Sequence, residues 1–288
     1  MLLTVGMPLY QAEKIGWLAF EGLCRQVYAK SKKYDWQVVV YEDSNLKYQP
    51  MGSNAVFSFY DRLKLAGCSK LVYLSNSDKR IAPSQKWIEI ANYENPLLGY
   101  ADYVLVQDAD CFSFPTRIYE TWNAVKCTVG DADHIHSDID WIHSHQGVFY
   151  NIKTEHTALF RKHRHTGLNM AFRASALFNN PHEVEVKNPK KFRGLNYWLY
   201  YIATKWAKGS DLKPVIKEIG QKTWESGLDT HGYNTITTDG RSQMIENANK
   251  KPFYPYHGNI NKHIPAFVMS RLRSLKHDEG TSKNILTL

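Results

Sequence analysis

Val104-Leu105-Val106-Gln107-Asp108-Ala109-Asp110 is the stretch that decides how this 288-residue chain folds. Together with Tyr103 it begins as a short apolar run and ends on Gln107 and two carboxylates spaced i and i+2. A run of this kind, rich in β-branched residues and closed by polar ones, reads as a strand buried on both faces. Two carboxylates just past its end are able to hold one hard divalent cation between the protein and diphosphate oxygens. A cation there would neutralise charge developing on a phosphate leaving group. The spacing by itself is common, and Asp131/Asp133 and Asp138/Asp140 repeat it. Neither of those pairs directly ends a strongly apolar strand, so Asp108 and Asp110 are the candidate metal ligands.

Upstream, strands and helices alternate. Residues 2–6 are a buried run broken by Gly6 and Pro8, and Ile15, Leu18, Ala19, Leu23 and Val27 fall at helical spacing, predicting a helix over 12–30. A second buried strand over 37–41 is closed by Glu42-Asp43-Ser44-Asn45, and a helical stretch over 53–66 leads to a third strand over 70–74. A helix over 82–92 precedes the fourth strand, 103–107. This alternation predicts an α/β fold, a mostly parallel sheet with helices on both faces. The connections are expected to be right-handed, with ligands beyond the carboxyl ends of the strands. Downstream the pattern loosens. Residues 131–172 are rich in His and aromatics, 148–152 is strand-like, and 171–178 and 197–207 read as helical. The Gly-, Asn-, Thr- and Pro-rich span 225–262 reads as loops over a site. A short basic amphipathic helix is expected over 266–276, with a loose tail over 277–288.

The composition narrows the class. Lys and Arg number 36 against 28 Asp and Glu, a formal charge of +8, and 43% of residues are hydrophobic. That hydrophobic share argues against disorder, and the length suffices for a full core. The apolar runs fall far short of the ~18 residues that cross a bilayer. Residues 1–14 lack a cationic start and a long apolar stretch, which argues against a cleaved signal peptide. A soluble, cytoplasmic, basic protein is the expectation. Cys24, Cys68, Cys111 and Cys127 are widely spaced, with no C-x-x-C pair, and read as reduced thiols rather than a disulfide or zinc framework.

Four segments, in order, resemble the GT-A fold glycosyltransferases, family 2 in particular. Thr4-Val5-Gly6-Met7-Pro8-Leu9-Tyr10 resembles the opening strand and nucleotide loop, and Val39-Val40-Tyr41-Glu42-Asp43-Ser44-Asn45 the paired-acid segment. Gln107-Asp108-Ala109-Asp110 resembles the metal signature, and Gly167-Leu168-Asn169-Met170-Ala171-Phe172-Arg173 the stretch that follows it. Four motifs in one order are more specific than any single one. The resemblance implies a Rossmann-like sheet and a nucleotide-sugar donor, a UDP-sugar by default, with Mn²⁺ or Mg²⁺. It implies that Pro8 and Tyr10 line the nucleobase and that Asp43 accepts a hydrogen bond from uracil or ribose. Asp108 would face the ribose or donor sugar, and Asp110 would bind the cation. Leu9 and Glu42 depart from the family pattern, which usually has a small polar residue and an aspartate there.

The resemblance also points into the second half. Trp224-Glu225-Ser226-Gly227-Leu228-Asp229 lies where related enzymes keep an acceptor-side acid. An inverting transfer needs a carboxylate to take the acceptor hydroxyl proton, with Asp229 the first choice and Glu225 the second. An acid capping a Gly-rich turn is the alternative for either residue. Pro255-Tyr256-His257-Gly258-Asn259 resembles a segment from which some GT-A enzymes donate a histidine to the cation, and imidazole suits Mn²⁺ better than Mg²⁺. Lys250 and Lys251 either contact the diphosphate or remain solvated. His134, His136, Asp138 and Asp140 alternate at period two and would share one strand face. Such a face either binds Zn²⁺ or lines an acceptor groove. The organisation expected is one catalytic domain over 1–265, with a nucleotide-sugar half (1–125) and an acceptor half (126–265), followed by the basic helix and tail over 266–288.

Three acceptors remain open. The basic segments 161–165, 187–193 and 271–273 suit nucleic-acid phosphates. A bacteriophage-type enzyme would place a sugar on a hydroxymethylated base in double-stranded DNA, turning the base out to reach it. A bacterial polysaccharide or lipopolysaccharide acceptor would instead set helix 266–276 on anionic lipid. The charge is also compatible with an ordinary sugar or protein acceptor. Two readings from other classes are weaker. A nucleotidyltransferase usually opens with a Gly-rich basic loop, which residues 7–13 lack. A non-catalytic nucleic-acid-binding relative would not need Asp108, Asp110 and His257 together. A hexosyl- or pentosyltransferase is the expectation.

Overall fold

The computed structural model describes residues 1–10, 12–27, 34–43, 50–76, 81, 83–129, 132–135, 139–143, 146–150, 155, 157–161, 170–175, 215–218, 235–237, 253–255, 260–262 and 264–275. The first half runs β1 (Leu2–Tyr10), α1 (Trp17–Leu23), β2 (Asp35–Asp43), α2 (Ser53–Phe57), α3 (Tyr60–Leu65), β3 (Lys70–Asn76), α4 (Pro83–Ala91), β4 (Tyr103–Val106), β5 (Cys111–Ser113) and α5 (Arg117–Val125). Then come β6 (Lys126–Val129), β7 (Ala132–Ile135), β8 (Ile139–His143), β9 (Gln146–Tyr150), β10 (Thr157–Arg161) and β11 (Met170–Arg173). The described remainder is β12 (Val215–Glu218), β13 (Thr235–Thr237), β14 (Phe253–Pro255), a 3₁₀ turn (Ile260–Lys262) and α6 (Ala266–Ser274).

Seven strands form the main sheet in the order β12-β8-β11-β4-β1-β2-β3. β4, β1, β2 and β3 are parallel, and β11 runs antiparallel to both β4 and β8. The protein is therefore α/β with a mostly parallel central sheet. β1 shows why its sequence carries no polar alternation. Leu3, Val5, Met7 and Leu9 enter one core with α1, while Leu2 enters the other with Val39, Val104, Val106 and Trp87 of α4. A strand covered on both faces must be apolar on both. Gly6 marks the closest approach of α4, because a Cβ there would lie 2.5 Å from Trp87 Cζ3.

A second sheet, β14-β10-β9-β13-β5, is entered directly after the strand-end acids through β5. Helix α1 lies hard against β5, so that a Cβ on Gly22 would sit 2.4 Å from the Ser113 backbone nitrogen. Neither backbone yields easily. Gly22→Ala is expected to destabilise the fold by about 1–3 kcal/mol through overpacking. The measurement is the denaturant midpoint at unchanged m-value, and an unmoved midpoint would show that α1 does not press on β5. On its other side α1 is braced by Glu21, whose carboxylate meets Arg25 and Arg62 at 2.7 Å. Burial pushes that carboxyl up, but Arg62 and Arg25 outweigh it and hold it below the usual range.

Several expectations are corrected in detail. The helix expected over 12–30 is confined to Trp17–Leu23 among the described residues, preceded by a turn in which Ile15 and Gly16 donate to the Ala12 carbonyl. The stretch over 53–66 is two helices, α2 and α3. The Ser58 hydroxyl donates to the Ala55 carbonyl at the break, the local competition that loosens helices. The strand expected over 148–152 begins two residues earlier, as β9. Over 171–173 the helix expected for 171–178 is instead strand β11; Ser175 is helical, and 176–178 lie outside the described residues. Ala171 pairs with Leu105 and Phe172 packs edge-on against Trp87 at 6.2 Å. Tertiary pairing overrides helical spacing when the run is only four residues long. Span 225–262 is not all loop, since β13, β14 and the 3₁₀ turn lie within it, the two strands paired to distant β5, β9 and β10. The helix over 197–207 falls outside the described residues.

The imagined His/Asp face also breaks up. His134 is on β7 in a two-stranded pair, and Asp140 is on β8 in the main sheet, so the two do not share a strand. Cys24, Cys68 and Cys111 are free thiols. Burial pushes the first two up to about 11 and about 12. Among the described residues, no helix is long and apolar enough to cross a membrane.

Candidate active site at the strand-order reversal

Strands β1, β2 and β3 follow one another outward, and the chain then returns to set β4 on the other side of β1. Connections leaving β1 and β4 therefore diverge, opening a crevice beyond their carboxyl ends. Register places the site's groups around it. Gly6 pairs with Val106, the last residue of β4, while Pro8 and Tyr10 continue past it, opposite Tyr41 and Asp43 of β2.

Asp108 and Asp110 stand on the turn between β4 and β5, both half-buried. A carboxylate oxygen from each and Cys111 Sγ all lie within 4.8 Å of one another. Cys111 Sγ donates toward Asp110 Oδ1 at 3.4 Å. Burial, then the charge of Asp110, pushes the Asp108 carboxyl up to about 7, with Arg117 pulling the other way. Two close acids that resist double ionisation form a donor set completed by a cation, and hard oxygen ligands suit Mg²⁺ or Mn²⁺. The residues present fit such an ion.

The turn is held from beneath by residues that the sequence alone did not assign. Gln107 is fully buried, and its Nε2 donates to the carbonyls of Asp108 at 2.9 Å and Cys111 at 2.7 Å. Its Oε1 accepts from Arg117 Nη1 at 2.6 Å and from Ser113 Oγ. Arg117, also fully buried, donates further to Ser113 Oγ at 2.8 Å and to the Val106 carbonyl. The Gln107 N–H reaches the Gly6 carbonyl at 3.0 Å, tying the acid turn to β1.

At the end of β2 the two adjacent acids differ in role. Glu42 takes the Met51 and Gly52 N–H groups at 2.7 and 2.9 Å and the Tyr73 hydroxyl at 2.8 Å. It thereby fixes the entry to α2, where Gly52 adopts φ +82°. Asp43, on the opposite face of the strand, pairs with Lys86 Nζ and accepts from the Ile81 N–H at 2.8 Å. Lys86 carried no readable signal, since its partner Asp43 lies 43 positions away. Arg117 carried none, being one more cation on an amphipathic helix. Glu225, Asp229, Lys251 and His257 lie outside the described residues. Pro8, Tyr10, Asp43, Asp108 and Asp110 are gathered at one end of the sheet.

No protein-family model and no curated protein matches the chain. Among solved structures it is similar to S. aureus TarS 1–349 at 11% identity and a TM-score of 0.47, covering 83% of this chain. It spans 60% of that TarS structure and 38% of a second, longer TarS structure. Mouse xyloside xylosyltransferase 1, in its apo form, overlaps 92% of this chain and 99% of its own, at 10% identity and a TM-score of 0.38. Core-mannan synthase A from Aspergillus fumigatus, in its Mn/GDP form, overlaps 53% of this chain and 44% of its own, at 10% identity and a TM-score of 0.26.

Proposed function

We propose that the chain is a metal-dependent glycosyltransferase that moves a sugar from a nucleotide donor, a UDP-sugar, to a hydroxyl acceptor. The observation that carries this reading is the Asp108–Asp110 pair, set at the carboxyl end of β4 where strand order reverses. Asp110 and Asp108 would hold the divalent cation, with His257 as a further ligand. Bound there, the cation supplies charge neutralisation to a leaving diphosphate. Gln107 and Arg117 fix the backbone of the acid turn, so its geometry is set before ligands arrive. Pro8 and Tyr10 would serve the nucleoside, and Lys251 would contact the diphosphate.

The transfer is read as inverting. Asp229, or Glu225 in its place, takes the proton from the acceptor hydroxyl as that oxygen bonds the anomeric carbon and the diphosphate departs with the electron pair. The nucleotide-sugar half over 1–125, the acceptor half over 126–265 and the basic segment over 266–288 belong to the same reading. For the acceptor, a hydroxymethylated base in double-stranded DNA and a saccharide are the two arms of a screen. Of the basic segments 161–165 and 187–193, only Arg161, at the end of β10, is among the described residues. Arg271 and Arg273 of α6 have internal partners, Trp17 at 4.1 Å and Glu155 at 3.1 Å. Both arginines stay exposed to solvent, so these contacts leave the two arms to the screen.

The test is thermal unfolding with UDP, GDP and CMP, each with and without Mn²⁺. A nucleotide at a hundred times its dissociation constant adds about 2.7 kcal/mol of stability. A rise with UDP that requires Mn²⁺ is expected. No rise with any nucleotide would overturn the reading.

A further inference from the structure

The two ends of the main sheet are unlike. The connections that leave its parallel strands carry the acids and the crevice, and those that enter them carry exposed apolar side chains. Val27 stands on the connection entering β2, Leu65 on that entering β3, and Leu97, Leu98 and Tyr100 on that entering β4. β2, β3 and β4 are parallel, so these five residues belong to one end of the sheet, the end opposite the crevice. They are five of the eight large hydrophobic residues exposed among those described.

A single exposed apolar residue is normal on a folded protein, whereas several gathered at one end mark a contact surface. The connection that carries three of them is held in a fixed shape. Asn95 is buried, its Oδ1 accepts from the Leu97 N–H at 2.9 Å, and its N–H and carbonyl both bond Gly99, which adopts φ +73°. Its Nδ2 donates to Gln37 Oε1 at 2.8 Å, and Gln37 Nε2 donates to Thr4 Oγ1 at 2.9 Å. A buried chain of polar groups thus anchors the turn to β2 and β1, and a built backbone holds Leu97 and Leu98 out in water.

Their degree of exposure decides what can cover them. Leu97 is 92% exposed and Leu65 90%. Side chains so bare touch almost nothing of their own protein, and stand out as separate tips instead of lining a concave surface. A folded partner must supply a pocket for each tip, whereas the boundary between headgroups and acyl chains admits apolar tips without a matching shape. Tyr100 suits the same boundary, where an apolar ring and a polar tip both find their solvent. The neighbouring charges fit as well. Lys64 is exposed beside Leu65, and Lys70 opens β3 with its ammonium 5.4 Å from the centroid of the Tyr93 ring. Lysines so placed reach lipid phosphates while their stems lie along apolar surface. Glu94 is also exposed here, so the apolar tips carry more of the binding than charge does.

We propose that the amino end of the main sheet is a membrane-docking surface, with Leu65, Leu97 and Leu98 entering the headgroup boundary of a lipid bilayer. The chain then rests on the membrane by that end, with the crevice turned toward water. This is independent of the nucleotide-sugar reading above.

The experiment is flotation of the full chain with vesicles of phosphatidylcholine, alone or mixed with phosphatidylglycerol. The parent is expected to float with both and to stay bound at about 0.5 M salt, where exposed charges are screened. Leu97→Ser/Leu98→Ser is expected to lower partitioning about tenfold at the parent Tm, because both side chains lie on the surface. Phe57→Ser is expected to partition as the parent does, since α2 is entered through Met51 and Gly52 at the crevice end. A parent that does not float overturns the proposal, as does an equal loss in Phe57→Ser and in the double variant. Binding that needs phosphatidylglycerol and vanishes at high salt assigns the contact to cations alone and also overturns it. Sedimentation velocity without lipid tests the other occupant. A dimer that the double variant abolishes, in a parent that does not float, gives this end to a second copy of the chain and overturns the membrane assignment. If the double variant does not fold, Leu65→Ser, on a different connection, must show the loss of flotation, and unchanged flotation there overturns the proposal.

Discussion

Asp110→Ala should lower turnover on the order of 10³-fold while leaving the far-ultraviolet spectrum intact, because on the proposed reading it removes a ligand to the charge that would balance the leaving diphosphate. The neutral isostere Asp110→Asn separates this from a folding defect by moving stability the other way. In the metal-free protein Asp108 is pushed up to about 7, first by burial and then by Asp110. The unfolded chain gives up that proton near the ordinary carboxylate pKa of about 4, and the folded chain holds it to about 7. Stability in this window therefore falls as pH rises, and the cost is in full force above pH 7. Removing the Asp110 charge relieves part of it. Asp110→Asn should thus melt higher than the parent at pH 8 without metal, and should lose the rise in Tm that Mn²⁺ gives the parent. A variant that melts lower at pH 8, or that keeps the Mn²⁺ response, would show that Asp108 and Asp110 do not share an ion.

How far these residues can be found without coordinates depends on the range of the interaction involved. β1 through β4 were legible because each is a short apolar run covered on both faces; β1, β2 and β3 extend the expected bounds by a few residues and β4 stops one short, before Gln107. The strand-end acids were legible for the same reason, as carboxylates two and four positions beyond the last apolar residue of β4. Strand β11 was not, since Met170-Ala171-Phe172-Arg173 has no period long enough to separate strand from helix. What makes it a strand is pairing with β4 and β8 and the contact of Phe172 with Trp87. Asp43 was legible as a strand-end acid, but its partner was not. Lys86 lies 43 positions away, and only the packing of α4 onto the β1–β2 face brings the two together. The same holds for Gln107, which reads as a polar stop after β4 until Arg117 and Ser113 are seen to bond it.

Arg117→Met is the substitution in which fold and chemistry should fail together, and their separation is informative. The guanidinium is fully buried and gives hydrogen bonds to Gln107, Ser113 and the Val106 carbonyl. Methionine fills similar space but leaves three buried acceptors short of a donor. A loss of about 3 kcal/mol is expected, and at about 2–4 °C per kcal/mol for chains of this size the Tm should drop by about 6–12 °C. The same cation draws the Asp108 carboxyl down against burial and Asp110. Without it Asp108 must hold its proton to still higher pH, so the pH at which Mn²⁺ binding is half-complete should move upward. Arg117→Lys keeps the charge but not the planar fork that serves three acceptors at once. It should lose stability while leaving that midpoint nearer to the parent. If Arg117→Met lowers Tm without moving the Mn²⁺ midpoint, Arg117 is a brace for the turn and not part of its electrostatics. If the midpoint moves in Arg117→Met and not in Arg117→Lys, the charge beneath the turn governs how readily its two acids accept an ion.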